Sequence, residues 1–436
     1  MPSRTGIPVA LDLRLRLFSV LRRVRAGCRV AIQAFRARRQ IGWHGLAVRA
    51  FRRISGTRQA TAEAPRPLIT TSSPAPGAHF DVIYAIGFWP GEPKRYRVFN
   101  MAEGLRAAGY AVHVLPFDNI ATIIRNRWTA RVLVLFRAEY SRLVGISETL
   151  RYLRAFGTRV FYDIDDLVFD PALADRIDEL RRAGPALRRA AIADMAARQR
   201  LLLACDGVTA STAPLARAAE ALGRPSFVIP NALNKEQIAL AASLVATRRT
   251  RDGGALIGYF SGSPTHQRDF AECEPALIEI MSRYPAARFR LVGYLDLGPQ
   301  WDRYRDRVER IDYLQPSDLL RAIAETDINL APLEVGNPFC EAKSELKFFE
   351  AAVVGVPTIA SATEPYAAAI EDRVTGLLAA TPEAWLPALD LLVASPEQRR
   401  KIGDAARAQV LRRLSPEAVI PQAVAILGLE TPDSPL

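Results

Sequence analysis

Little in this sequence suits metal binding or covalent cross-linking. The 436 residues include only four cysteines and four histidines, all dispersed. Cys28, Cys205, Cys273 and Cys340 show no CxxC spacing, so neither a disulfide framework nor a zinc site is expected, and they read as reduced thiols of a cytoplasmic chain. No run of eighteen or more apolar residues occurs, which excludes an ordinary membrane-spanning helix. Acids are nearly absent from the start of the chain. Residues 1–60 hold fourteen Arg against Asp12 alone, so the net charge of +12 belongs to this arm and the rest is close to neutral. A nucleic-acid-binding enzyme more often spreads basic charge over its working face, so no nucleic-acid partner is expected. Lysine is scarce too: five of the 58 basic residues are Lys, and two of them are Lys343 and Lys347.

What is present is a long α/β pattern behind an unusual N-terminus. Over 1–54, Leu13, Leu17, Val20, Val24, Ala31 and Phe35 recur near the helical period, with Arg on much of the remaining circumference. Such an amphipathic arm can lie on an anionic membrane surface, pack on a partner, or act as a transit peptide. Residues 55–80, rich in Pro, Ala, Ser and Thr, read as a flexible linker. From Asp81, short β-like runs alternate with helical stretches: DVIYAIG (81–87), AVHVLPF (111–117), VLVLF (132–136), RVFYDID (159–165) and GVTAS (207–211). After a polar stretch the pattern restarts with ALIGYFSG, ARFRLVGY, VERIDYL, DINLAPL, VPTIAS and TGLLAA. The expected fold class is therefore α/β, with two Rossmann-like domains of parallel sheets, at 81–235 and 254–410, facing a central cleft. A helix at 411–429 can return to the first domain, and 430–436 reads as a disordered tail.

The sharpest segment is NPFCEAKSELKFFEAAVVGVPTIAS (337–361), which reads as loop, helix, then Gly355-Val-Pro357 into a buried strand. Glu350 would face the cleft, where a carboxylate can accept both hydroxyls of a ribose. Ser344 and nearby N–H groups at the helix start suit a diphosphate. Lys343 and Lys347, four apart and so on one face, could neutralise the leaving diphosphate. The alternative is a surface helix with solvated Lys and Glu pairs. In IGYFSGSPTHQRDF (257–270), Gly262 and Ser263 would let phosphate approach the backbone, with His266 and Asp269 at a helix entrance. In FWPGEPKRYRVFNMAEGL (88–105), Gly91 lies in the turn after the first strand, and Tyr96 and Arg97 open the following helix. The run YDIDDLVFD (162–170) places Asp163, Asp165 and Asp166 together after a strand. It reads as ligand-hydroxyl contacts, as a DxD metal motif, or as turn and cap residues.

With the preceding TDINLAPLEVGNPF (326–339), segment 337–361 resembles the donor-site signature of glycosyltransferase family 4, retaining enzymes of the GT-B fold. Bacterial cell-surface polysaccharide enzymes are the most similar, and the resemblance runs from about Asp81 to Leu429. It implies a metal-independent hexosyltransferase using a nucleotide-sugar co-substrate and no tightly bound cofactor. Its partners would be a nucleotide-diphosphate sugar and a saccharide or lipid-linked acceptor, at the inner face of the cytoplasmic membrane. Glu350 matches the second glutamate of an E-x7-E motif. The first falls on Ala342, where Glu341 is expected to substitute through a shifted loop. His266 stands near the Lys of an Arg/Lys diphosphate clamp, and Ser261 near its Arg, so Lys343 or Lys347 would supply the charge. Gly91, Tyr96 and Arg97 match a glycine-containing loop beneath donor and acceptor. Asp165 and Asp166 occupy the place of a His-Asp pair aimed at the reacting sugar. An epimerase of the same fold and a non-catalytic sugar-nucleotide binder are the alternatives.

Overall fold

The computed structural model describes residues 74–87, 93–141, 144–177, 180–181, 184–247, 254–262 and 266–430. The basic arm, Gly91 and Ser263 lie outside these residues. Short apolar runs form strands buried on both faces, as parallel sheets under helices require. The last five residues of Thr129–Phe136, for example, are all buried.

Strands β1 (His79–Ile86), β2 (Val112–Pro116), β3 (Thr129–Phe136), β4 (Arg159–Ile164), β5 (Gly207–Ala210) and β6 (Ser226–Val228) form one sheet, in the order β2-β1-β3-β4-β5-β6. Strands β7 (Leu256–Ser261), β8 (Arg288–Gly293), β9 (Val308–Ile311), β10 (Ile328–Ala331), β11 (Thr358–Ser361) and β12 (Leu377–Ala379) form the other, in the order β12-β11-β10-β7-β8-β9. All pairings are parallel. The direction of winding reverses between β1 and β3 in the first sheet and between β7 and β10 in the second. A reversal leaves a crevice beyond the carboxyl ends of the two strands that flank it. This is the GT-B architecture.

Among the helices, α1 (Asn100–Ala107) is entered through a π-helical turn, Arg95–Phe99. Helix α2 (Lys235–Thr247) follows the first sheet, and α3 (Pro316–Ala324) packs on it. The short α4 (Pro338–Glu341) and α5 (Leu346–Val353) follow β10. Beyond α5, Gly355 takes a left-handed backbone (φ +71), which suits glycine, and Pro357 then leads into β11. Helices α6 (Pro396–Leu414) and α7 (Pro416–Leu427) end the fold. Helix α7 returns to the first sheet, where Val419, Ile420 and Ala423 join Val82, Tyr84 and Val134 in one apolar cluster. Gly104 of α1 permits this contact, since a Cβ there would lie 2.5 Å from Ile420. Among the described residues, no helix is long and apolar enough to cross a membrane.

Candidate functional site

The crevice of the second sheet lies where β7 and β10 end, and the segments that follow them meet around one carboxylate. Asp269, 4% exposed, accepts a hydrogen bond from the Glu334 N–H (3.2 Å) and one from Cys340 Sγ (3.3 Å). Its other oxygen lies 2.8 Å from His266 Nδ1. Lys343 and Lys347 also act electrostatically on Asp269. Lys343 Nζ sits 4.6 Å over the Phe339 ring and Lys347 Nζ 4.5 Å over the Tyr259 ring. The Lys347 ammonium is shut off from solvent and has no hydrogen-bond partner among the described residues. Burial, reinforced by Lys343, lowers Lys347 to about 8. Burial and then Lys347 lower His266 to about 4, so its imidazole is neutral at pH 7. Asp269 is buried as well, yet His266 and the two lysines hold it below the ordinary carboxylate range. Three bases thus gather round one acid, an arrangement suited to an anion.

The structure brings Lys343 and Lys347 together by a route other than helical spacing. Helix α5 begins at Leu346, so Lys343 and Ser344 belong to the loop before it. Ser344 is held from the first domain's side, its Oγ accepting a 3.0 Å bond from Asn231 Nδ2. Glu341, the expected stand-in for the missing glutamate, is tied into its own loop. One of its oxygens accepts the Gly336 N–H (2.9 Å) and the other the Glu364 N–H (3.2 Å), so it braces the loop. Ala342 is 2% exposed and packs with Phe339 in the first sheet's core, and its carbonyl accepts the Thr212 hydroxyl (2.9 Å). Packing between the lobes occupies the place where the resemblance puts a donor-sugar carboxylate. Gly262 is exposed, with open space where a Cβ would stand.

Glu350 lies on α5 and faces the first domain. Its Oε1 accepts a 2.5 Å hydrogen bond from the Tyr96 hydroxyl. Tyr96 is 3% exposed and meets Phe349 edge-on, with ring centroids 5.5 Å apart. A small cavity opens beside the pair, lined also by Gln237, Leu233, Pro316 and Leu320.

The first sheet holds its charged groups differently. Arg97 does not reach the cleft. It is 2% exposed, and its guanidinium grips Asp163 through Nη2 (2.6 Å) and Nε (3.1 Å) while also binding the Ile229 carbonyl. The Thr209 hydroxyl completes Asp163 at 2.7 Å. Asp165 accepts a hydrogen bond from Arg137 Nε, and Asp166 lies 3.7 Å from the same guanidinium while bonding its neighbour's N–H. Burial pushes Asp165 upward against the pull of Arg137. Arg137 has a left-handed backbone (φ +44), a conformation uncommon outside glycine. Sequence reasoning singled out neither Arg137 nor the role of Asp269 as a shared acceptor. Beyond β8 and β9, the half-exposed Tyr294 and Tyr313 face each other at 6.2 Å and 31°, another pair it missed. Only their positions after strand ends could have marked them.

Residues 270–425 match the Glycosyl transferase-like family. No curated protein matches the chain. Among solved structures, sucrose-phosphate synthase of Thermosynechococcus elongatus superposes with a TM-score of 0.55 at 16% identity, over 79% of this chain and 98% of that one. WaaG, a glycosyltransferase involved in lipopolysaccharide biosynthesis, gives 0.51 at 14%, over 80% and 100%. HepE of Anabaena, in complex with UDP and glucose, gives 0.50 at 15%, over 81% and 100%.

Proposed function

We propose, for a chain that has the GT-B fold and a glycosyl transferase-like segment at 270–425, that it moves a sugar from a nucleoside-diphosphate sugar to a saccharide or lipid-linked saccharide. The observation that carries this reading is the Lys347 ammonium, buried without a hydrogen-bond partner among the described residues, at the switch point of a parallel sheet. Burying a lone cation is costly, and a ligand diphosphate relieves that cost where such sheets bind nucleotides. Lys343 and Ser344 share the work of holding the diphosphate, Gly262 leaves it room, and Glu350 receives the ribose hydroxyls.

In the transfer, the bond between the anomeric carbon and the diphosphate oxygen breaks while the acceptor oxygen bonds to the same carbon. The acceptor proton leaves with the diphosphate. Charge builds on the departing oxygen, where fixed donors and cations contribute most. The family resemblance supports retention, with the departing oxygen assisting attack on the same face, and a role in cell-surface polysaccharide synthesis. The Arg-rich arm at 1–54 would hold the enzyme at an anionic inner membrane face.

The test uses radiolabelled UDP-sugars first, then GDP- and ADP-sugars, with membrane lipid extracts and oligosaccharides as acceptors. Glu350→Gln should remove donor binding or turnover and leave the thermal midpoint nearly unchanged. A large loss of stability with transfer retained would show a structural glutamate and remove its ribose role, and no transfer by wild type from any of these donors would defeat the proposal.

A further inference from the structure

The structure ties Glu350 to the other half of the molecule through a chain of hydrogen bonds with a fixed direction. Gln237 Oε1 accepts from Asn100 Nδ2 (2.9 Å) and from the Asn234 N–H (3.1 Å), so its amide nitrogen is turned toward Tyr96. That nitrogen donates to the Tyr96 oxygen at 3.3 Å. With its lone pair so engaged, the Tyr96 hydroxyl sends its proton to Glu350 Oε1. Burial and the neighbouring Glu350 charge raise Tyr96 well above its ordinary value, so it stays protonated and able to donate.

Local backbone geometry delivers this contact. Tyr96 and Arg97 are adjacent in the π-helical turn, yet Arg97 turns into the first sheet and Tyr96 into the second domain's apolar cluster, beside Phe348 and Phe349. Single π-helical turns often mark functional positions, because they re-aim side chains that a regular helix would align. A carboxylate oxygen has more than one acceptor direction, so a bond from Tyr96 fixes its rotamer without consuming the group.

We infer that Tyr96 is a positioning residue, the first-domain group that orients the Glu350 carboxylate toward the 2′- and 3′-hydroxyls of the donor ribose, with Gln237 orienting Tyr96 in turn. This rests on the reading of Glu350 given above. Ribose recognition then depends on both lobes, because the carboxylate belongs to one and the group that aims it to the other.

The experiment measures UDP, GDP and ADP, each beside its 2′,3′-dideoxy analogue, by calorimetric titration against wild type, Tyr96→Phe, Gln237→Leu and Glu350→Gln. Wild type should prefer the ribonucleotide at least about tenfold, the size expected of one hydrogen bond to a charged group. Tyr96→Phe keeps the ring and removes one oxygen. It should weaken the ribonucleotide about tenfold while barely changing the dideoxy analogue, collapsing the preference. Gln237→Leu should do the same more weakly, and it serves where the tyrosine variant folds poorly. A merely structural role would weaken both ligands alike, and that result overturns the inference. Tighter binding to Tyr96→Phe would also overturn it, since Tyr96 would then block the carboxylate. If Glu350→Gln keeps the preference, the ribose reading of Glu350 fails. If Glu350→Gln loses the preference while Tyr96→Phe keeps it, that reading stands and only the role of Tyr96 falls. No binding of any diphosphate by wild type would remove both.

Discussion

At the carboxyl end of the first sheet, the buried arginines find carboxylates. Arg97 holds Asp163 at 2.6 Å, and Arg137 holds Asp165 with Asp166 nearby. At the same end of the second sheet, Lys343, Lys347 and His266 gather round the single buried Asp269, and the Lys347 ammonium has no hydrogen-bond partner among the described residues. Two sheets of equal strand number and the same winding thus differ in how their crevices are charged. A matched pair stabilises its own lobe and asks nothing of a ligand. An unmatched cation is destabilising until something anionic arrives. The crevice that costs stability is the one suited to an anion, and that is the usual relation between strain and function.

The largest expected effects come from removing one cation on each side. Arg97→Met leaves Asp163 buried and uncompensated, which should cost about 3–5 kcal/mol in denaturant unfolding. Nucleotide affinity of the protein that still folds should change little. Lys347→Met should do the reverse, lowering transfer about a hundredfold or more while stability holds or rises. If Lys347→Met unfolds the protein and spares donor binding, or Arg97→Met is thermally silent, the contrast between the sheets is wrong.

The pH dependence sharpens the same contrast. Lys347 ordinarily titrates at 10.5 and in the folded protein at about 8, chiefly because it is buried. A cation whose folded value is depressed contributes stability above its unfolded value and loses it as pH falls through the folded one. Wild type should therefore lose stability between about pH 10.5 and pH 8, by about 3 kcal/mol, and lose no more from this group below that. Lys347→Met lacks this loss, so its advantage over wild type at pH 7 should vanish near pH 11 in parallel urea melts. Diphosphate affinity should weaken as pH rises past about 8, where the free protein sheds that proton. An advantage of equal size at both pH values would remove Lys347 as its source.

Much of this was legible in the chain. Both runs of β-like segments became sheets, because a parallel strand buried on both faces must be written almost wholly in apolar residues, as in VLVLF at 132–136. Glu350, Lys343 and Lys347 stand close in sequence, so one loop and helix deliver them together. What stayed hidden depends on pairing at long range. Arg97 and Asp163 lie 66 positions apart, and Tyr96 and Glu350 lie 254 apart. No local period separates an arginine that meets a buried partner from one that points into a cleft. The setting of Glu341 stayed hidden for a related reason. Its two oxygens accept the Gly336 and Glu364 N–H groups, whose positions follow from loop geometry and not from residue type.

The smallest expected effect is the most discriminating about how the anion would be held. His266 lies where the resemblance puts a lysine, yet burial and Lys347 lower it to about 4, so it brings no charge to an empty crevice at pH 7. His266→Asn keeps a nitrogen donor facing Asp269 and removes only the ring. If the two lysines carry the electrostatic work, donor kcat/KM should fall less than about fivefold, the loss of one neutral hydrogen bond. A bound diphosphate, however, would offset the field of Lys343 and Lys347 that helps keep the imidazole neutral, and could draw a proton onto it. In that case the loss would approach that of Lys347→Met, and calorimetric titration near pH 7 in buffers of different ionisation enthalpy would register proton uptake on binding. A small loss with no proton uptake leaves charge neutralisation to Lys343 and Lys347, with Asp269 holding a neutral histidine in place beside them.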